Sequence, residues 1–101
     1  MDRNGYNPSL FTTEPGECYI CGSHRETARH EVLYGIANRV LAKRDGLWIN
    51  VCPACHRRIH ARPLEYEYLK AAAQRLYEAE RGHDSWMWVY GRNYLEAREW
   101  R

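Results

Sequence analysis

The sequence has little phenylalanine: one Phe stands against eight Tyr and four Trp. It also lacks any apolar run approaching the length of a membrane span, and Met1 to Gly5 lack the apolar centre of a secretory signal. These absences predict a cytoplasmic chain with no membrane segment. A core rich in amphipathic Tyr and Trp rings is marginal in 101 residues, so an additional stabilising element is expected.

Lysine is scarce as well, since thirteen of the fifteen basic residues are Arg, and the formal net charge is only +2. So small an excess does not by itself indicate a nucleic-acid-binding protein. The excess is concentrated in residues 39–62, which hold six bases against one acid, Asp45. Both a solvated face and a phosphate-binding surface fit this pattern, and Arg suits phosphate better than Lys does. The six bases are Arg39, Lys43, Arg44, Arg57, Arg58 and Arg62.

Four cysteines form two Cys-x2-Cys pairs, Cys18 with Cys21 and Cys52 with Cys55. Two thiolates at this spacing span one edge of a zinc–sulfur tetrahedron, and a second pair completes it. A reducing cytoplasm favours a metal over two disulfides. The spacing therefore predicts one closed, structural Zn²⁺ site without room for a substrate.

Three other interpretations of the cysteines explain less. The segment Cys52-Pro-Ala-Cys55-His56 matches the haem-attachment pattern, but haem would leave the first pair without a role. A redox-active pair normally lies in a βαβ context, which surrounds neither pair. Two disulfides would require an exported chain.

Residue periodicity and helix breakers predict an α+β fold of short elements. In the first half of the chain we expect a strand over residues 30–34, a helical stripe from Ile36 to near Asp45, and a strand over 47–51. A helix from Cys55 to Arg62 should follow, preceded by Pro53. We then expect a longer helix through Leu69 and Leu76 to Gly82, and a last helix through Tyr90 capped by Asp84 or Ser85. Residues 1–17 are expected to form an extended lead-in, 18–62 a zinc-stapled module, and 63–101 a helical extension packed on that module.

Three histidines are spaced for a second metal. His56 and His60 lie four residues apart, so on a helix they share one face, and His30 begins the first predicted strand. Three imidazoles could hold a divalent cation with open coordination positions, which a hydrolytic metal needs. Surface or outer-shell histidines with no metal remain the alternative.

Several segments together resemble the zinc-stapled HNH, or ββα-metal, endonucleases, in particular the small members encoded by phages and prophages. The matching segments are Cys18-Tyr-Ile-Cys21-Gly, Arg29-His-Glu-Val-Leu-Tyr-Gly35, Ala37-Asn-Arg39, Leu47-Trp-Ile-Asn-Val-Cys52-Pro-Ala-Cys55-His56, His60 and Gly91-Arg-Asn-Tyr-Leu95. The resemblance implies a small zinc-stapled ββα-metal (HNH-like) domain with a C-terminal helical extension.

The resemblance also implies roles for individual residues. His30 takes the first-strand metal-ligand position, His56 the helix position, and His60 serves as a further ligand to Mg²⁺, Mn²⁺, Ni²⁺ or Zn²⁺. Glu31 takes the position of the catalytic base, where the family has a histidine. The family's middle asparagine is replaced by Gly46-Leu47, with Asn38 and Asn50 nearby.

The leading functional hypothesis is a metal-dependent endonuclease that hydrolyses DNA phosphodiester bonds in a bacterial host cell, without a small-molecule cofactor. The basic residues of 39–62 would contact phosphates. An inactive zinc-binding adaptor for DNA or protein is the alternative, and a purely structural zinc protein acting on a phage or host partner is a third. The aromatic C-terminal segment is expected to cover the core or to contact such a partner. Its rings are Trp86, Trp88, Tyr90, Tyr94 and Trp100.

Overall fold

The structure, a computed structural model, describes residues 1–11, 14–33 and 35–95. Within these ranges it contains a two-stranded sheet and four α-helices, which confirms the α+β prediction. In chain order the elements are β1 (Ala28–Glu31), α1 (Ile36–Asp45), β2 (Trp48–Val51), α2 (Pro53–Ala61), a 3₁₀ turn (Pro63–Tyr66), α3 (Tyr68–Arg81) and α4 (His83–Tyr90).

The two strands are antiparallel, and their register fixes which side chains face the core. Ala28 pairs with Val51, Arg29 with Asn50, His30 with Ile49, and Glu31 with Trp48. Because successive side chains of a strand point to opposite faces, His30 shares the inner face with the buried Ile49 and Val51. Arg29 and Glu31 therefore lie on the outer face.

The first strand differs from its prediction over residues 30–34. It begins two residues earlier and ends at Glu31, because β2 offers only the four partners from Trp48 to Val51. Val32 and Leu33 follow the strand as buried core residues, and Tyr34 lies outside the described residues.

The N-terminal segment is hydrogen-bonded to β2. The Ser9 hydroxyl donates to the carbonyl of Trp48 at 2.6 Å, and the Trp48 indole N–H donates to the carbonyl of Asn7 at 2.8 Å. Phe11 is buried in the core. Residues 1–11 thus cover the outer face of the sheet.

Gly46 joins this segment to the end of α1. Its φ of +72° lies in the left-handed region, where a side chain is strained, and a Cβ there would overlap the carbonyl oxygen of Pro8. The backbone N–H of Leu10 donates to the Gly46 carbonyl at 2.8 Å. Glycine is therefore required both to end the helix and to let the two segments approach each other.

The long helix α3 packs on α4, and their contact is partly polar. The rings of Tyr77 and Trp86 meet edge to face at 5.4 Å, and the hydroxyls of Tyr77 and Ser85 lie 2.8 Å apart. The predicted cap of α4 by Asp84 or Ser85 is wrong, because the helix begins at His83 with Gly82 as its N-cap and no side-chain cap bond. Ser85 instead meets Tyr77 across the two helices.

The aromatic residues near the C-terminus mostly complete the core. Trp86 is fully buried, and Tyr90 and Tyr94 pack against the core as partly buried rings. Trp88, by contrast, is 90% exposed, and Trp100 lies outside the described residues. Covering the core is thus the main role of the described rings, with Trp88 the exception.

Among the helices of the described ranges, none is both long enough and apolar enough to cross a bilayer.

Candidate metal centres

The four cysteine sulfurs converge as the spacing predicts. Their ligand atoms all lie within 4.8 Å of one another, and no disulfide joins Cys18, Cys21, Cys52 or Cys55. The Sγ atoms of Cys21 and Cys52 are 3.7 Å apart. With a Zn–S distance of about 2.3 Å, the edge of a tetrahedron is about 3.8 Å long. The cluster is therefore positioned to hold one metal ion, consistent with structural zinc.

Backbone N–H groups lower the pKa of one cysteine in each pair. Burial acts to raise the pKa of Cys18, but the backbone N–H groups of Cys52, Cys21 and Ile20 lower it to about 6. The backbone N–H of Cys55 is the main cause of a lowered pKa at Cys52. Amides that point at sulfur favour the thiolate, which is the metal-binding form.

The fourth sulfur shows why a cation fits this cluster. Burial raises the pKa of Cys55, and the neighbouring Cys52 and Cys21 raise it further. Four negative charges at this distance repel one another, so they cannot all form without a compensating cation. The donor set of four sulfurs and the geometry together match the chemistry of a zinc site.

The knuckle that carries the first pair is tied to the sheet. The backbone N–H of Tyr19 donates to the carbonyl of Asn50 at 2.9 Å, and the N–H of Gly22 donates to the carbonyl of Cys18 at 2.9 Å. The second pair lies where β2 ends and α2 begins, with Cys52 as the N-cap of α2. A metal at this position would connect the knuckle, the sheet and the first turn of α2.

The three histidines meet on the inner side of β1. The ligand nitrogens of His30, His56 and His60 all lie within 4.8 Å of one another, and the Nε2 atoms of His56 and His60 are only 3.0 Å apart. His56 directly follows Cys55, so the first turn of α2 serves both clusters. Two imidazole nitrogens at about 2.1 Å from one cation, at right angles, would be about 3.0 Å apart.

The electrostatics of this cluster favour neutral imidazoles. Burial is the largest cause that lowers the pKa of His30, to about 4, and His56 and His60 lower it further. Burial and the nearby His60 also lower the pKa of His56. Near neutral pH the rings of His30 and His56 are therefore uncharged, which is the state that donates a lone pair to a metal.

Glu31 lies apart from the three histidines. Its side chain lies on the outer face of the sheet, where the Tyr6 hydroxyl donates to its carboxylate at 3.1 Å. The guanidinium of Arg29 lies 4.3 Å from the centre of the same Tyr6 ring. The structure thus does not bring Glu31 together with His30, and the N-terminal segment holds its carboxylate on the other side of β1.

The six basic residues of segment 39–62 fall into two groups. Arg44 is paired with the buried Asp45 at 2.9 Å, and Arg62 with Glu65 at 3.1 Å. The ammonium of Lys43 lies 5.0 Å from the centre of the Tyr6 ring. The other three arginines are exposed and form no ion pair within the part of the chain that the structure describes. These are Arg39, Arg57 and Arg58.

A third group of ligand atoms lies close together, and the sequence did not predict it. Oxygen or nitrogen atoms of Glu14, Glu17 and His24 also lie within 4.8 Å of one another, and His24 pairs with Glu17 at 3.9 Å. These three residues have no regular spacing in the sequence that would predict the group, because a loop brings them together. Exposed charged side chains of this kind commonly lie together without an ion, so the group defines no site.

Comparison with known proteins adds no relative, because no protein-family model, curated protein or solved structure matches the chain at a significant level.

Proposed function

We propose that this protein is a metal-dependent, HNH-like endonuclease that hydrolyses DNA phosphodiester bonds. A Zn²⁺ ion held by Cys18, Cys21, Cys52 and Cys55 would stabilise the fold, and a second divalent cation would bind at His30, His56 and His60. The observation that carries the proposal is the convergence of three imidazoles from β1 and α2 at a cluster that the cysteine site positions.

Two properties of the histidine cluster support hydrolysis over a second structural site. Three protein ligands leave coordination positions open, whereas four sulfurs close a tetrahedron. His60 is exposed and His56 is half-buried, so the cluster has an open side. A divalent cation held by His30, His56 and His60 would offset negative charge on a scissile phosphate. In the hydrolysis a water oxygen bonds to phosphorus and loses a proton to solvent, the bond from phosphorus to one sugar oxygen breaks, and that oxygen takes up a proton.

The chain's own residues would bind and orient the nucleic acid. Arg57 and Arg58 are exposed on α2, and Arg39 is exposed on α1. At 100° per residue Arg57 lies beside the helical face of His56 and His60, whereas Arg58 lies on the far side of α2. One guanidinium group can contact two phosphate oxygens, so Arg57 would hold the backbone against the cluster, and Arg39 and Arg58 would bind phosphates as well. Arg44 and Arg62 already pair with carboxylates and would contribute less.

A plasmid-nicking assay tests the proposal. The zinc-loaded protein should nick supercoiled DNA when Mg²⁺, Mn²⁺ or Ni²⁺ is added, and His30→Ala and His56→Ala should abolish nicking. His24→Ala is the matched control, since His24 is exposed and lies outside the cluster. Nicking that survives both cluster substitutions would contradict the proposal.

One observation favours a second candidate, an inactive zinc-binding adaptor that binds DNA or protein. The carboxylate at the family's base position, Glu31, is held by Tyr6 on the opposite face of the sheet. This adaptor would retard DNA in a gel without nicking it under any metal. Replacing Arg57 and Arg58 by Gln should then abolish the retardation.

A further inference from the structure

One of the four sulfur ligands lies at the protein surface. Cys21 is exposed, whereas Cys18, Cys52 and Cys55 are buried. The space beside the next residue is open as well, because a Cβ on Gly22 would meet no atom within 4 Å apart from its chain neighbours. A small solute can therefore reach the sulfur of Cys21 while the other three sulfurs stay covered.

The sulfur of Cys21 also lies next to a sulfur from the other pair. The Sγ atoms of Cys21 and Cys52 are 3.7 Å apart, and an S–S bond is about 2.05 Å long, so a shift of about 1.7 Å would join them. Cys18 is held more firmly, because its sulfur accepts hydrogen bonds from the backbone N–H groups of Cys52, Cys21 and Ile20. Cys21 lies in a turn, so the shift breaks no hydrogen bond of the sheet or of a helix. This geometry favours a bond from Cys21 to Cys52.

We propose that Cys21 is a site of oxidative modification, at which a peroxide joins Cys21 to Cys52 in a disulfide and thereby expels the metal. The Cys21 thiolate attacks one peroxide oxygen, the O–O bond breaks, and the sulfur becomes a sulfenic acid while the other oxygen leaves as hydroxide. The Cys52 thiolate then attacks this sulfur, so that the S–S bond forms and the S–O bond breaks with loss of a second hydroxide. The two thiolates lose two electrons to the peroxide, and two protons from solvent convert both hydroxides to water.

Oxidation at this one sulfur would disassemble both clusters. Cys18 and Cys55 alone are too few ligands for a zinc ion. The disulfide closes the same loop between the knuckle and the start of α2, but it stabilises less than four zinc–thiolate bonds do. Because His56 directly follows Cys55, loss of order at the start of α2 also separates the histidine nitrogens. The inference requires a metal at the cysteine cluster and is independent of any nuclease activity.

Zinc release, measured with a chromogenic chelator, tests the proposal together with peptide mapping by mass spectrometry. Hydrogen peroxide should release zinc from the zinc-loaded protein, while a sample without peroxide keeps it. The peptides that contain Cys21 and Cys52 should then appear joined, with the mass of two hydrogen atoms lost. A phosphine reductant with added zinc should restore the original zinc content.

A substitution that keeps the metal but removes the exposed sulfur isolates the role of Cys21. Cys21→His retains four ligands, since three thiolates and one imidazole also hold zinc. Its zinc release should be at least about tenfold slower than that of the parent chain, because buried cysteines react slowly with oxidants. Arg25→His is the matched control: it places the same side chain at an exposed position of the same loop, keeps all four sulfurs, and should release zinc at the parent rate.

The other outcomes count against the proposal. Equal rates of zinc release in Cys21→His and the parent chain would overturn it, as would a disulfide that omits Cys21. A disulfide between Cys18 and Cys21 would overturn the assignment of Cys52 as the partner. Mapping of the parent chain decides the site even if Cys21→His does not hold zinc. A chain that releases zinc through Cys21 but never nicks DNA keeps this inference and refutes the endonuclease.

Discussion

The Tyr90 hydroxyl donates a 2.6 Å hydrogen bond to the carboxylate of Asp45, which lies 45 residues earlier in the chain. The Asp45 side chain has no exposure, and it also accepts from the guanidinium groups of Arg44 and Arg81. One buried carboxylate thus connects the end of α1 with α3 and α4. A buried charge is tolerated only when it is paired and hydrogen-bonded, so the donors from Arg81 and Tyr90 stabilise the contact between the helical extension and α1.

Replacing Tyr90 by Phe removes one donor from this buried carboxylate. We expect the free energy of unfolding to fall by about 1.5–3 kcal/mol, the usual range for a hydrogen bond to a charged group. Urea unfolding of the zinc-loaded protein measures the change. Tyr68→Phe is the control, because Tyr68 is 51% exposed and should lose little. Equal losses in both variants would remove the special role of Asp45.

Removal of the metal at the cysteine cluster should unfold the chain. Zinc binding to four thiolates contributes about 10–16 kcal/mol, which matches or exceeds the net stability of about 5–15 kcal/mol of a typical domain. Cys52→Ser, or a strong chelator, should therefore abolish the cooperative thermal transition seen by circular dichroism. Ala54→Ser places the same side chain at an exposed position of α2 and should unfold cooperatively. A stable chain after complete removal of metal would contradict this expectation.

Glycine positions and cysteine spacing predicted the helix ends and the cysteine cluster correctly. Gly46, Gly82 and Gly91 end three helices as expected, and β2 leads into Cys52. The spacing within the two cysteine pairs predicted that the four sulfur atoms converge, because such spacing reflects the coordination geometry of one ion. At the helix ends the cause lies within a few residues of its effect, whereas the two cysteine pairs are thirty residues apart and were predictable because each has the spacing that one ion requires.

Contacts between distant residues could not be predicted in the same way. The Ser9 hydroxyl donates to the backbone carbonyl of Trp48, 39 residues away, and such a bond has no periodicity that a sequence would reveal. The same N-terminal segment contains Tyr6, whose hydroxyl donates a hydrogen bond to the carboxylate of Glu31. Position in a motif suggested a base at Glu31, but strand alternation and the N-terminal segment decide which face its side chain takes.

Neutralising Glu31 should therefore affect the fold and not the metal site. Glu31→Gln weakens the bond from Tyr6, so we expect the free energy of unfolding to fall by about 0.5–1.5 kcal/mol. Isothermal titration of the zinc-loaded protein with Mn²⁺ should give the same Kd as the parent chain. In His60→Ala the Kd should rise by at least about tenfold, since a ligand is lost. A Kd for Glu31→Gln that rises as much as that of His60→Ala would place Glu31 at the metal after all.

The buried His30 predicts a specific dependence of stability on pH. Without a cation at the histidine cluster, the folded chain protonates this ring only near pH 4, whereas the unfolded chain does so near 6.5. Between these values the unfolded state binds more protons, so the free energy of unfolding falls as the pH drops from 6.5 to 4. His30→Gln removes this contribution while leaving the cysteine site in place. The parent chain should therefore lose more stability than His30→Gln between pH 6.5 and 5 in urea titrations, and equal losses would contradict the burial of a neutral ring.

The central claim is that the four sulfurs hold one ion and thereby position the histidines. X-ray absorption at the zinc edge, on protein carrying one equivalent of zinc, tests this claim most directly. We predict a single shell of four sulfurs at about 2.3 Å, unchanged in a His30→Ala/His56→Ala variant. A shell containing imidazole nitrogen at about 2.0–2.1 Å in place of sulfur, or one that changes in that variant, would contradict it.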